Sequence, residues 1–241
     1  MKNPYLSIII PAHNEEMRLP PSLEKIDKFL KEQKYTYEVV VVENGSSDNT
    51  IKVVKNFVKR HAYVRLMIVK TRGKGLAVKQ GMLAAKGKYR FICDSDLSMP
   101  ISELPKFLPP NAAGHDVMIG SREAKGSNRI GEPLKRHLMG RLFNFIIKLS
   151  VVRGFEDTQC GFKMFTAKAA DELFTIQRLN GIGFDIELIF LAKKRGFKIK
   201  EIPITWYFDE DSRMKLFQDS FKALLEIAEI QKNWFEGRYR L

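Results

Sequence analysis

Four short runs of β-branched and aromatic residues, at 5–10, 38–42, 64–69 and 89–93, alternate with three stretches of helical apolar spacing at 19–33, 48–60 and 75–85. No other feature constrains the fold as tightly. Strands that read as continuous apolar runs are covered on both faces, and a strand–helix–strand repeat of this length builds right-handed βαβ units around a parallel sheet. Asp48 stands where a cap for the second helix is expected. With 241 residues and 44% hydrophobic content, the chain can bury one substantial α/β core with at most a small appendage. Ligands of such sheets bind beyond the carboxyl ends of the strands. The residues that follow each strand therefore come first in any search for function.

Past the fourth strand the pattern changes. A strand is expected at 116–120, then a polar stretch at 121–133, rich in Gly and Arg, that reads as a mobile loop. A helix at 134–150, a strand at 162–165, a helix at 184–195 and a strand ending near Trp206 follow. The segment 215–234 is amphipathic, with Leu216, Phe217, Phe221, Leu224, Leu225 and Ile227 as its apolar members and Lys232, Arg238 and Arg240 beside it. Such a segment suits either a bilayer interface or the core. No run approaches the roughly 20 apolar residues that span a bilayer, and the N-terminus lacks the apolar core of a signal peptide. Cys93 and Cys160, the only cysteines, show no zinc spacing, which suits a reducing compartment. The expected location is cytoplasmic, with any membrane met from its surface.

The fourth strand runs into Asp94-Ser95-Asp96. Two carboxylates at i and i+2 beyond a buried strand form a hard oxygen site suited to Mg²⁺ or Mn²⁺, although the bare tripeptide also reads as a polar turn. Its neighbours tip the balance. The first strand leads into Pro11-Ala12-His13-Asn14-Glu15 and the second into Glu43-Asn44-Gly45-Ser46-Ser47-Asp48, so three sheet edges bring polar groups to one crevice. The third helix opens with Arg72-Gly73-Lys74-Gly75. Glycines let backbone amides approach an anion, and a helix N-terminus with a lysine favours phosphate. The P-loop pattern is absent, and a tight turn is the plainer reading of the bare tetrapeptide. His13, His61, His115 and His137 are scattered without ligand spacing.

In this order the motifs resemble family 2 glycosyltransferases, in strand-one "PA.NE", strand-two "DDGS.D.T" and strand-four "DxD" patterns that span nearly the whole chain. The resemblance implies a GT-A fold: a Rossmann-like, mostly parallel sheet flanked by helices, here with a C-terminal amphipathic helical segment. It divides the chain into a catalytic domain at 1–210, with a nucleotide-sugar half at 1–120 and an acceptor half at 121–210, and a helical tail at 211–241. It implies that Pro11, Ala12, Asn14, Glu15, Glu43, Asn44, Gly45, Lys74, Gly75, Asp94 and Ser95 line the nucleotide-sugar site, and that Asp94 and Asp96 hold the metal on the diphosphate. One departure stands out: Glu43-Asn44 replaces the usual pair of aspartates. Asn44 both donates and accepts where a carboxylate only accepts, so the base edge it meets differs, and Glu43 is placed to take over part of the job.

A second set of motifs resembles the polyprenyl-phosphate branch: Gly120-Ser121-Arg122, Arg136 after Pro133-Leu134-Lys135, the run Asp157-Thr158-Gln159-Cys160-Gly161-Phe162-Lys163, and Phe184-Asp185-Ile186-Glu187. That run is most like dolichyl-phosphate β-glucosyltransferases, which implies UDP-glucose as donor; a GDP-mannose-dependent dolichyl-phosphate mannosyltransferase is the near alternative. The chemistry is consistent with a lipid phosphate acceptor. A phosphate monoester has a second pKa of about 6 and is already a nucleophilic anion at neutral pH, so the site needs cationic clamping more than a base. Arg122 and Arg136, with Arg129 as a third, are the candidate acceptor-phosphate ligands. Asp96, Arg122, Arg136 and Asp157 form the candidate catalytic group, with Asp157 able to position Arg136, cap a loop or act directly. Gln159, Asp185 and Glu187 are placed behind them, though the two acids also suit a helix N-terminus.

The net charge of +13 favours polyanionic partners: a nucleotide diphosphate sugar, a polyprenyl phosphate or an anionic membrane surface. Nucleic acid is not expected, because no aromatic-interleaved basic stripe or reading motif is present. A family 2 transferase with a sugar hydroxyl as acceptor is the closest rival reading. It requires a carboxylate base, and Asp157 would then be essential.

Overall fold

Val39, Val40, Val41 and Val42 are all shielded from solvent, although successive side chains of a strand point to opposite faces. Both faces of their sheet are therefore covered. The computed structural model describes residues 3–134, 136–141, 154–209 and 216–240. It contains strands β1 (Leu6–Ala12), β2 (Tyr37–Glu43), β3 (Val64–Ile68), β4 (Tyr89–Ile92), β5 (Val117–Ser121), β6 (Asn128–Ile130), β7 (Lys163–Thr166), β8 (Ile199–Pro203) and β9 (Thr205–Tyr207). The helices are α1 (Leu19–Lys31), α2 (Thr50–Val58), α3 (Lys74–Ala84), α4 (Ala167–Ile176), α5 (Phe184–Lys194) and α6 (Leu216–Phe235), with a 3-10 helix at Ile101–Phe107.

Seven strands form one sheet in the order β3-β2-β1-β4-β7-β5-β8. All neighbours run parallel except β7, which is antiparallel to both β4 and β5. One face, with Ile9, Val40, Val42, Ile92 and Phe165, packs on residues of α3, α4 and α5. The other, with Ile8, Ile10, Val41, Phe91 and Met164, packs on α1, α2 and the 3-10 helix. The strand order reverses at β1 and β4, where the crossover from β1 leads to β2 on one side and the chain returns through β4 on the other. This is the place where an open α/β sheet leaves a crevice beyond its carboxyl ends.

Several expectations are revised. The 121–133 stretch is not a structureless loop: β6 lies within it and pairs in parallel with β9. Asp48 does not occupy the cap position of α2, which falls to Asn49; its Oδ1 instead accepts the Thr50 N–H at 3.0 Å and the Thr50 hydroxyl at 2.5 Å. Residues 136–141 are helical, and the rest of the helix expected up to 150 lies outside the described residues.

Part of the amphipathic tail packs on the core, while Leu225 and Phe235 remain exposed. Ile227 and Ile230 are buried, Trp234 meets Phe190 edge-on at 5.4 Å between ring centroids, and Glu226 accepts the Gly183 N–H at 2.8 Å. The side chains of Leu216, Phe217 and Phe221 lie outside the described part. Among the described residues no helix is long and apolar enough to cross a membrane.

Candidate active site

The loops after β1 and β2 are sewn into one rim. Asn14, at φ 55°, donates its N–H to Ser46 Oγ at 3.0 Å, and its Oδ1 accepts the Ser47 N–H at 2.8 Å. Asparagine tolerates this left-handed conformation better than most residues. Next door the Glu15 N–H reaches Thr50 Oγ1 at 2.8 Å and the Glu16 N–H reaches Asp48 Oδ2 at 3.1 Å. Pro11 and Ala12 are buried where β1 ends, and Gly45 turns the second loop at φ 75°. Glu43 is buried and its carboxylate accepts the Ser46 N–H within its own turn; the Asn44 carbonyl meets the His13 ring at 3.0 Å. Both residues of the departing pair are thus built into the rim. Arg18, not singled out by the motifs, forks Glu15 at 2.7 and 2.8 Å and reaches Asp209 at 3.3 Å, bridging this rim to the segment after β9.

Asp94 and Asp96 lie past β4 with Ser95 between them, and Lys74 at the start of α3 places its Nζ 2.7 Å from Asp94 Oδ1. Gly75 lets that helix start close in: a Cβ there would lie 2.8 Å from the backbone oxygens of Leu179 and Gly181. Burial opposes the Asp94 charge, but Lys74, Lys163 and Arg122 more than offset it and hold its carboxyl below the ordinary range. Asp96 goes the other way: burial and the repulsion of Asp94 raise it, against the Ser98 N–H that its Oδ1 accepts at 2.9 Å. The two carboxylates therefore repel each other, and Lys74 offsets part of that repulsion. Gly161 sits against it, since a Cβ there would fall 1.9 Å from Asp94 Oδ2. Gly161→Ala is expected to push the Asp94 carboxylate out of place. A displacement on this scale costs roughly 10²-fold in kcat/KM with the fold intact, measured by kinetics beside circular dichroism; unchanged kinetics would remove Asp94 from the site.

Asp157 positions Arg122, not Arg136. Its Oδ2 accepts Arg122 Nε at 2.6 Å and the Arg122 backbone N–H at 3.1 Å, and its Oδ1 accepts Nη2 at 3.0 Å. Asp157 Oδ1 also takes the Gln159 N–H at 3.1 Å, so Gln159 contributes its backbone to the same turn. Burial raises the Asp157 carboxyl, but Arg122, its hydrogen bonds and Lys163 more than offset this and hold it at about 2. A carboxylate so depressed stabilises the fold above its unfolded value of 3.8 and loses that contribution as pH falls towards 2. The shift corresponds to about 2 kcal/mol. In urea titrations the stability difference between wild type and Asp157→Asn is expected to shrink over that window; a constant difference would contradict it.

Arg129 is not an open cation. It is paired with Glu123 and, at 2.6 Å, with Glu132, while its guanidinium lies 5.3 Å from the Trp206 ring centre. Arg122 lies 5.6 Å from the same ring and Arg136 lies 4.8 Å from that of Phe208. The β9 segment thus carries aromatic faces against all three arginines.

The two helix acids separate. Glu187 is a structural anchor, accepting the N–H groups of Arg178 and Leu179 at 2.9 and 3.0 Å and the Tyr239 hydroxyl at 2.8 Å. Asp185 faces the site through Lys163, whose Nζ lies 2.6 Å away and also donates to the Cys160 carbonyl. Lys163 is the residue that motif reading left without a role. A lysine among Phe162, Met164 and Phe165 in a central strand breaks the apolar pattern, and such a misfit signals a buried partner.

Beside Asp96 opens a cleft of about 560 Å³ whose lining includes Leu97, Pro100, Ile101, Tyr207 and Phe208. A mostly parallel sheet with an acid pair, a helix-start lysine and an arginine cluster at its carboxyl edge defines a GT-A glycosyltransferase. The chain belongs to glycosyl transferase family 2, whose model matches residues 7–174.

It is 31% identical to a dolichyl-phosphate beta-glucosyltransferase of Dictyostelium discoideum over 100% of this chain and 79% of that one. It is 33% identical to the Saccharomyces cerevisiae protein of the same name, covering 98% and 77%. Among solved structures it resembles Mycobacterium tuberculosis glucosyl-3-phosphoglycerate synthase with Mn²⁺, UDP-glucose and phosphoglyceric acid, at a TM-score of 0.69 and 17% identity over 94% of this chain and 79% of that one. That likeness concerns the fold.

Proposed function

We propose that the protein transfers glucose from UDP-glucose to a polyprenyl phosphate of the dolichyl type, peripherally, at the cytoplasmic face of a membrane. One observation carries this reading: Arg122, at the end of β5, lies close enough to Asp94 to help hold its carboxyl low. An anionic donor and an anionic acceptor then meet across a short gap. The relatives named above act on dolichyl phosphate by their names, and they align with nearly all of this chain.

Among the described residues no group of three or more His, Cys, Asp and Glu side chains could hold a metal alone. Two carboxylates completed by substrate phosphates are nonetheless the usual setting for Mg²⁺ and related ions, and the repulsion within the Asp94–Asp96 pair is what a dication relieves. Mg²⁺ or Mn²⁺ bound there supplies charge neutralisation at the leaving diphosphate. Lys74 holds a donor phosphate from the helix start. The rim formed by Pro11 to Glu15 and Glu43 to Gly45 takes the nucleoside.

Arg122, kept rigid by Asp157, and Arg136, stacked on Phe208, orient the acceptor phosphate. An acceptor oxygen attacks the anomeric carbon and forms the new C–O bond. The bond to the diphosphate breaks on the opposite face, its electron pair leaves with UDP, and configuration inverts. No proton need be removed.

That last point separates this reading from a hydroxyl acceptor. Both Asp157 oxygens are taken by Arg122 and its carboxyl is held at about 2, which makes it a poor base at neutral pH. Purified protein with Mn²⁺ and a short polyprenyl phosphate is expected to form a charged glucolipid from UDP-glucose and little product from GDP-mannose. Preference for GDP-mannose would overturn the donor, and transfer only to free sugars would overturn the acceptor.

A further inference from the structure

We propose that the exposed apolar patch made by Ile130, Leu134, Leu138 and Tyr207 docks the protein on an anionic bilayer, bringing the arginine cluster over acceptor head groups. This rests on the lipid phosphate reading. The four side chains are 43%, 71%, 58% and 46% exposed, so the two leucines have most of their surface in water and the other two nearly half. Ile130 and Tyr207 are register partners across β6 and β9, and strand neighbours in register project to the same face. Leu134 and Leu138 lie one helical turn apart, so they share a side, and exposed Arg141 continues it at the next turn.

The patch and the arginines belong to one unit. The Phe208 N–H donates to the Ile130 carbonyl at 2.8 Å, and Phe208 carries the Arg136 guanidinium on its ring. A lipid phosphate can reach those arginines only if its hydrocarbon stays in the bilayer, so the surface around them must face lipid. The exposed apolar groups flank them, and the exposed Lys125 and Arg141 of the same 121–141 stretch can meet anionic head groups, on a chain of net charge +13. The amphipathic tail helix is less suited. Among its described side chains, Ile227 and Ile230 are turned into the core, and the exposed large apolar groups, Leu225 and Phe235, stand ten positions apart, beyond direct side-chain contact.

The test is co-sedimentation of the full chain with vesicles of phosphatidylcholine and phosphatidylserine, comparing wild type, the double variant Leu134→Glu/Leu138→Glu and the tail variant Leu225→Glu/Phe235→Glu. The patch variant is expected to lose vesicle binding by about tenfold or more and the tail variant little. Glucose transfer to a short, water-soluble prenyl phosphate is expected to stay at the wild-type rate in the patch variant. Transfer to a long-chain polyprenyl phosphate embedded in vesicles should fall with binding. Unchanged sedimentation of the patch variant, or loss in the tail variant instead, overturns the proposal. So does a wild-type dimer that the patch variant dissolves with no effect on vesicles, which would assign the surface to a second copy. Wild type inactive on both prenyl phosphates sinks the acceptor reading instead, because vesicle binding is scored without turnover.

Discussion

Replacing Asp96 by asparagine is expected to lower glucosyl transfer by roughly 10²–10³-fold while leaving the protein folded, a loss on the scale of removing one preorganised electrostatic contact from a transition state. Asparagine keeps the shape of the side chain and an oxygen for the Ser98 N–H that Asp96 now accepts at 2.9 Å. What disappears is one negative charge beside Asp94. The burial cost and the repulsion from Asp94 that raise the Asp96 carboxyl are both relieved, so the variant should be no less stable than wild type, which separates a site effect from a folding effect. Mn²⁺ binding followed by calorimetry should weaken in step with kcat, and EDTA should silence the wild type. Full activity in EDTA, or normal Mn²⁺ affinity in the variant, would end the assignment of Asp94 and Asp96 to a metal. Asp94→Asn is a less clean change, because it also strips Lys74 of the partner 2.7 Å away.

Arg122→Ala is expected to cost about 3–5 kcal/mol of stability, the usual penalty for leaving one member of a buried ion pair alone. Asp157 is 1% exposed and loses two guanidinium bonds on truncation. Urea unfolding gives the cost directly. Loss of activity in this variant would be ambiguous by itself, so the informative protein is Arg122→Met/Asp157→Leu. Replacing both partners by apolar groups of similar volume often restores stability. If Arg122 grips the acceptor phosphate, the restored protein still binds UDP but uses the prenyl phosphate with a greatly raised KM. Recovery of acceptor use along with stability would reduce the pair to a structural brace. Arg122→Lys is expected to fall short too, since an ammonium cannot reproduce the fork to Asp157.

The parallel half of the fold is legible in the residues because each of its signals is local. Runs such as Val39 to Val42 can be shielded only between two helical layers, and the spacing of α1, α2 and α3 supplies one helix per crossover. The strand-end motifs follow from the same topology, which is why Asp94, Asp96, Lys74 and the first two loops can be placed at one edge. Where the reading goes astray, the deciding partner is distant in sequence. Strand β6 looks like loop until β9, some 75 residues on, pairs with it. Asp157 takes Arg122, 35 residues before it, although Arg136 is nearer in the chain. The direction of β7 cannot be read from composition, because a buried strand has the same apolar residues whichever way it runs. α4 is absent from the expected helices although its pattern is local: Ala169, Ala170, Leu173, Phe174 and Ile176 are buried, opposite a polar stripe of Lys168, Asp171, Glu172 and Thr175.

By itself the sequence determined the class of fold, the edge at which chemistry occurs and the acids and cations available there, because alternation of strand and helix and the residues after each strand are short-range properties. Tertiary structure alone decided how those charges are shared: Lys74 to Asp94, Lys163 to Asp185, Arg122 to Asp157, Arg129 to its two glutamates. It also turned the tail helix onto the core and left Leu134 and Leu138 facing water. The physical reason is that the energy of a buried charge or an apolar face depends on what lies within a few ångströms in space, and proximity between segments tens of residues apart is set only when the whole sheet closes.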